Sequence, residues 1–156
     1  MAINRLIFTV FDNLVDGDLT DTGIQYSTPV DTTVADTDVV VLTKAIDHGL
    51  VGNLLELRFG LTAEFRAVNS ANADLKWKWQ ARNKNGTWVD LHDYITETNI
   101  GTTYVSRSRS GYKFATTNIN VVPLEVRLIF QCNEANEGRA RVKSSSYVYS
   151  EYTVDI

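Results

Sequence analysis

Along residues 54–91 apolar and polar side chains alternate with a period of two. In LLELRFGLTAEFRAV, Leu55, Leu57, Phe59, Leu61, Ala63, Phe65 and Ala67 take the odd positions, and Glu56, Arg58, Gly60, Thr62, Glu64 and Arg66 the even ones. Successive side chains of a strand point to opposite faces, so this run predicts a long strand over 54–68 with one dry and one wet face. A helix would need apolar residues every three or four positions, and the run lacks them. DLKWKWQAR repeats the pattern, with Leu75, Trp77, Trp79 and Ala81 on one face and Lys76, Lys78, Gln80 and Arg82 on the other. Asn83-Lys84-Asn85-Gly86 then predicts a tight hairpin, a type I turn with Gly86 in the left-handed conformation and a bulge. With Asn83 opposite Thr87, Ala81 faces Val89 and Trp79 faces Leu91. The same register sets Trp88 opposite Arg82 on the wet face.

The remaining segments extend this reading. Residues 3–11 form a first strand, with Leu6, Phe8 and Val10 on one face and Ile7, Thr9 and Phe11 on the other. Apolar groups on both sides imply burial on both, or a second face covered by a partner. TDVVVLTKAI at 37–46 is a β-branched second strand. Within 93–120, TTYVSRS and GYKFATT read as short pieces pairing around Arg109-Ser110-Gly111. VVPLEVRLIFQCN is another strong strand with Val122, Leu124, Val126, Leu128, Phe130 and Cys132 in phase, and Pro123 marks its edge or start. YVYSEYTVDI supplies the last strand. Residues 12–36 differ: six aspartates, no Lys or Arg, and the breakers Gly17, Gly23 and Pro29 predict an extended arm or long loop. The sum is an all-β fold, a two-sheet antiparallel β-sandwich of jelly-roll-like arrangement, in a single domain over 1–156 carrying the acidic arm.

Bulk composition narrows the function classes. A net charge of -4 argues against general nucleic-acid binding, although residues 1–47 hold eight acids against two bases and 48–156 eleven against thirteen. No stretch reaches the ~20 apolar residues of a membrane span. MAINRLIFTVF has too short an apolar run for a signal peptide before Asp12 interrupts it. The single cysteine, Cys132, excludes an internal disulfide and fits folding in a reducing cytosol.

Candidate chemistry is sparse. His48 and His92 are the two histidines, each beside an aspartate in sequence, where side chains on a strand point apart; they read as surface or turn residues. Cys132 falls in the core phase and reads as an inert thiol. Glu56 and Glu64 share a wet face but lie roughly 26 Å apart along a strand, too far for the paired carboxylates of a glycosidase. No phosphate loop or nucleophile elbow occurs. The chain therefore reads as non-enzymatic and free of cofactors. A calcium loop from Asp12, Asp16, Asp18 and Asp21 is a minor alternative on the arm, since calcium takes several oxygen ligands on flexible chain, but its spacing matches no EF-hand register. Binding is the remaining class. Trp88 stacked on Arg82 is one candidate interface. Tyr147, Tyr149 and Tyr152 with Arg107, Arg109 and Arg141 are a second.

LKWKWQARNKNGTWVDL at 75–91 and VPLEVRLIFQCNEANEGRARVKSSSYV at 122–148 resemble the strand-hairpin patterns of auxiliary structural proteins of tailed-phage and other virus particles, such as capsid decoration proteins and small jelly-roll subunits. The resemblance implies a non-enzymatic capsid decoration subunit that forms homo-oligomers, trimers favoured, and docks on a major capsid protein. It implies a place in the virion after synthesis in the host cytoplasm, without nucleic acid or membrane as partner, and a strap-like role between subunits for the acidic arm. The alternative from another class is a carbohydrate-binding, lectin-like β-sandwich using Trp88 and the tyrosines as stacking platforms.

Overall fold

The computed structural model describes residues 5–15 and 23–155. Among the described residues twelve strands follow one another: β1 (Arg5–Asn13), β2 (Val30–Asp31), β3 (Val39–Ile46), β4 (Gly52–Ala67), β5 (Leu75–Asn83), β6 (Val89–Asp90), β7 (Ile95–Glu97), β8 (Val105–Phe114), β9 (Val121–Val122), β10 (Leu124–Cys132), β11 (Gly138–Val142) and β12 (Tyr147–Asp155). They form two antiparallel sheets. One has seven strands in the order β1-β12-β4-β11-β2, with β8 and β9 pairing the free side of β4; the other has five, β3-β10-β5-β6, with β7 also on β5. The chain passes repeatedly from one sheet to the other, at β2–β3, β3–β4, β4–β5, β7–β8, β9–β10 and β10–β11. That wrapping is the jelly-roll-like sandwich expected from the periodicity. Pro123 sits at one crossing and divides the strand expected over VVPLEVRLIFQCN, leaving Val122 in β9 on the first sheet and Leu124 onward in β10 on the second.

The inward faces close on a core in which Trp77, Trp79, Phe65, Phe130, Leu57, Leu61 and Leu124 are fully buried. Phe65 reaches from the seven-stranded sheet to Trp77 and Phe130 of the other, with ring centroids 5.5 and 6.2 Å away. The odd-position rule along β4 fails at one place. Leu54 is buried and Leu55 is exposed, because β4 pairs Glu56 with Glu151 but Leu54 with Tyr152. Leu55 is thus the extra residue of a β-bulge, which reverses the phase upstream of it.

Two local expectations are corrected. In the hairpin the predicted register holds: Ala81 pairs with Val89, and the Leu91 amide donates to the Trp79 carbonyl at 2.9 Å. The left-handed residue, however, is Asn85 (φ 62) rather than Gly86, and the Gly86 amide donates to the Asn83 carbonyl at 2.8 Å. A positive φ at the third turn position belongs to type II, and asparagine tolerates it because its short amide sacrifices little there. Second, 105–114 is one continuous strand, not a hairpin around Arg109-Ser110-Gly111; ten β8 residues pair with Glu56 to Phe65 of the longer β4. Gly111 permits this because a Cβ there would stand 3.2 Å from the Phe59 ring.

Of the expected acidic arm, Asp12 and Asn13 belong to β1 instead, and residues 26–32 run along the outer edge of β11. The Ser27 amide donates to the Val142 carbonyl at 2.9 Å, the Val142 amide to Ser27 Oγ at 2.8 Å, and β2 pairs with Arg139 and Ala140. Thr32 is buried there, its amide donating to the Gly138 carbonyl at 2.8 Å while its Oγ1 accepts the Gly138 amide at 2.9 Å.

Candidate functional site

Every strand of a two-sheet sandwich must send half its side chains outward, so the candidates are the two outer faces and the open side between them. On the outer face of the five-stranded sheet the hairpin places Trp88 over Arg82, guanidinium carbon 4.2 Å from the ring centroid. Arg127 of β10 adds a second guanidinium at 4.1 Å. Glu125 accepts from Arg82 Nε at 3.2 Å, and Gln80 accepts from Arg127 Nε at 2.9 Å. Burial, followed by the neighbouring Arg82 charge, pulls the Arg127 pKa below its ordinary value. Trp88 is partly buried and engaged from within its own chain. Farther along this face Lys78 Nζ lies 4.1 Å from the Tyr94 ring centroid. The Tyr94 hydroxyl donates to Asp38 at 2.6 Å, and burial together with that carboxylate pushes its pKa up to about 12.

The tyrosine–arginine set does not form one cluster. Tyr147 and Tyr149 lie on the outer face of the seven-stranded sheet, Tyr152 is buried on its inner face, and Arg141 sits over Tyr26 and Tyr104 at 3.6 and 3.9 Å near β11. Arg107 and Arg109 stand opposite the inward Ala63 and Leu61, so they point from the β8 edge toward the other sheet. Arg107 pairs with Glu97 there at 3.0 Å. Arg109 and Lys113 line an open groove of about 640 Å³ against residues 89–95.

Strand pairing on the outer face of the seven-stranded sheet assembles what the sequence does not display. One cross-strand row reads Phe11, Tyr149, Arg58 and Tyr112; the next reads Thr9, Glu151, Glu56 and Phe114. Phe11, Tyr149, Tyr112 and Phe114 are 47, 40, 62 and 62% exposed, and Ile7 is 67% exposed. Phe11 packs against Tyr147 and Tyr149 at 5.3 and 5.1 Å, and Tyr112 against Phe114 at 5.1 Å. Between these rings lies a depression of about 440 Å³ lined by Thr9, Glu56, Arg58, Tyr149 and Glu151. The second face of β1 is therefore open rather than buried. Its signal in the sequence was the apolar residues on both faces of that strand.

The histidines have structural work. Trp79 donates its amide to His92 Nε2 at 3.2 Å, and His92 Nδ1 contacts the Asp93 carbonyl at 2.8 Å. The ring stands in for a strand carbonyl between β6 and β7, which fixes the proton on Nδ1. Burial is the main cause that holds the His92 pKa below 6.5, with Arg109 adding to it. A lowered histidine pKa contributes stability above its ordinary value that is lost as pH falls through the folded value. Thermal melts from pH ~7.5 to ~4.5 should therefore show the stability gap between the wild type and His92→Phe shrinking on acidification; a gap constant with pH would refute the assignment. His48 Nε2 pairs with Asp12 Oδ2 at 2.9 Å, not with the adjacent Asp47. Asp16, Asp18 and Asp21 lie outside the described residues. Among the described residues no group of three or more His, Cys, Asp or Glu could hold a metal ion. Cys132 is buried, and burial pushes its thiol pKa up, away from the reactive thiolate.

No protein-family model and no curated protein sequence matches this chain. Solved structures do. Over 97% of its length the chain is similar to a protein of the T13 particle of infectious bursal disease virus, with a TM-score of 0.53 and 7% identity, covering 40% of that chain. It is likewise similar to a protein of T=1 particles derived from infectious bursal virus, with a TM-score of 0.50 and 12% identity over 96% of this chain and 34% of that one. The chain thus spans well under two thirds of either neighbour. At these identities the likeness is one of fold.

Proposed function

We propose that this chain is a structural protein of a virus particle, a non-enzymatic auxiliary or decoration subunit that self-associates, trimers favoured, and docks on a shell of a major capsid protein. The observation that carries the reading is the superposition of nearly the whole chain on a capsid-particle protein at a TM-score of 0.53. The edge of the larger sheet supports it. β1 pairs with β12 on one side and has no strand partner on the other among the described residues. Long apolar edges template pairing with another chain unless blunted by charge, and in β1 only Arg5 and Asp12 are charged. Joining such an edge to a different surface of the next copy gives a head-to-tail contact, and a ring such as a trimer results where its rotation closes.

Mass photometry of the purified chain should show a discrete oligomer, and the chain should co-sediment with particles assembled from the cognate major capsid protein. Ile7→Lys, on the exposed face of β1, should weaken self-association by ~10-fold or more. A monomer at every attainable concentration that leaves the particles in the supernatant would sink the reading.

A further inference from the structure

The depression between Tyr149, Glu151 and Glu56 is left unused by the assembly reading, and its composition is specific. Glu56 and Glu151 face each other directly across β4 and β12. Like charges so placed oppose folding. Arg58 relieves only one of them, its Nε donating to Glu56 Oε1 at 2.9 Å. Glu151 has no hydrogen-bond or ion-pair partner among the described residues. The exposed rings of Phe11, Tyr149, Tyr112 and Phe114 stand on either side, in the same two cross-strand rows.

We propose that this depression is a saccharide site that takes a neutral, pyranose-type glycan. A pyranose ring presents an apolar C–H face and a rim of hydroxyls. Flat, exposed aromatic rings fit the first. Carboxylates that accept and a guanidinium that donates fit the second, and charge-assisted hydrogen bonds of this kind are the stronger ones. The volume of about 440 Å³ falls in the ~300–1,000 Å³ range of small-ligand clefts. Two carboxylates against one guanidinium leave the site negative, so sialylated and sulphated glycans are disfavoured. The proposal does not depend on assembly, because it uses the sheet face and leaves the hydrogen-bonding edge of β1 free.

The test is to incubate the labelled full chain on an array of neutral, sialylated and sulphated glycans, then titrate cellohexaose, xylohexaose and chitohexaose by saturation-transfer NMR. The expected result is binding confined to neutral glycans, weakened ~10-fold or more by Tyr149→Ala and by Glu151→Gln. Both positions are on the sheet surface, and circular dichroism checks that each variant is folded. Trp88→Ala, on the opposite sheet with two guanidiniums on its ring, should bind as the wild type does. The proposal is overturned if no neutral glycan binds, or if binding is lost in Trp88→Ala and kept in Tyr149→Ala. It is equally overturned if Tyr149→Ala dissolves an oligomer while no glycan binds, since the face is then a contact between copies. A chain that binds neutral glycans but neither self-associates nor joins a shell would refute the virion reading and leave this one standing.

Discussion

Phe65→Ala is expected to cost about 3–5 kcal/mol, the range for emptying a buried aromatic site. The ring is fully buried and connects the two sheets, touching Trp77 on β5 and Phe130 on β10 from its place on β4. Three aromatic groups meeting at tilted angles leave no small side chain that can collapse into the space, so the cavity penalty adds to the lost transfer energy. A domain of this kind has a net stability of about 5–15 kcal/mol, so the variant would lose about a fifth or more of it. Urea denaturation should show the midpoint falling with the slope unchanged, because the surface exposed on unfolding hardly differs. Phe114→Ala is the matched control. That ring is 62% exposed on β8, and its removal should change stability by no more than about 0.5 kcal/mol. A Phe65→Ala cost below ~1.5 kcal/mol would mean that the sheets are held together elsewhere.

The sequence exposes the parts of this fold governed by local periodicity. The dry faces of β4, β5 and β10 and the hairpin register each follow from spacing within one segment, and Trp88 over Arg82 follows from that register. Features that depend on a distant strand are hidden. The Leu55 bulge arises where β12 pairs with β4, and nothing in LLELRF marks it. The β8 segment carries Gly111 and scattered serines, which locally suggest a turn; the long β4 template imposes a straight strand instead. The same limit governs the site. Arg127 reaches Trp88 from β10, and Asp12 reaches His48 from β1. Along β4 alone the carboxylates Glu56 and Glu64 are well separated, yet Glu56 stands opposite Glu151 because β12 is its neighbour. Sheet order creates that pair, and no spacing within the chain encodes sheet order.

The second large effect belongs to Glu64, an acid that β4 points outward and that is nonetheless buried. Its cross-strand partner Arg141 approaches Oε1 with a terminal guanidinium nitrogen at 2.6 Å and Nε at 2.8 Å. Ser106 donates to Oε2 at 3.1 Å, and Lys143 Nζ is 3.8 Å from the same oxygen. Tyr26 and Tyr104 lie against the guanidinium and limit access of water to the pair. Arg141→Met keeps most of the apolar stem but leaves the carboxylate with one hydroxyl and a distant ammonium. Removing one partner of a fully buried ion pair costs about 3–5 kcal/mol. Here the side chains keep 23% and 11% of their exposure, so water can compensate in part and the expected loss is about 2–3 kcal/mol. The origin of that loss is testable by adding Glu64→Leu. If the cost comes from the stranded charge, the double variant should recover to within about 1 kcal/mol of the wild type, since an apolar pair often replaces a buried ion pair at little loss. A double variant as unstable as Arg141→Met alone would place the cost in the packing of the guanidinium beneath Tyr26 and Tyr104. The arm segment carrying Tyr26 would then be held by cation–π contact rather than by the ion pair it covers.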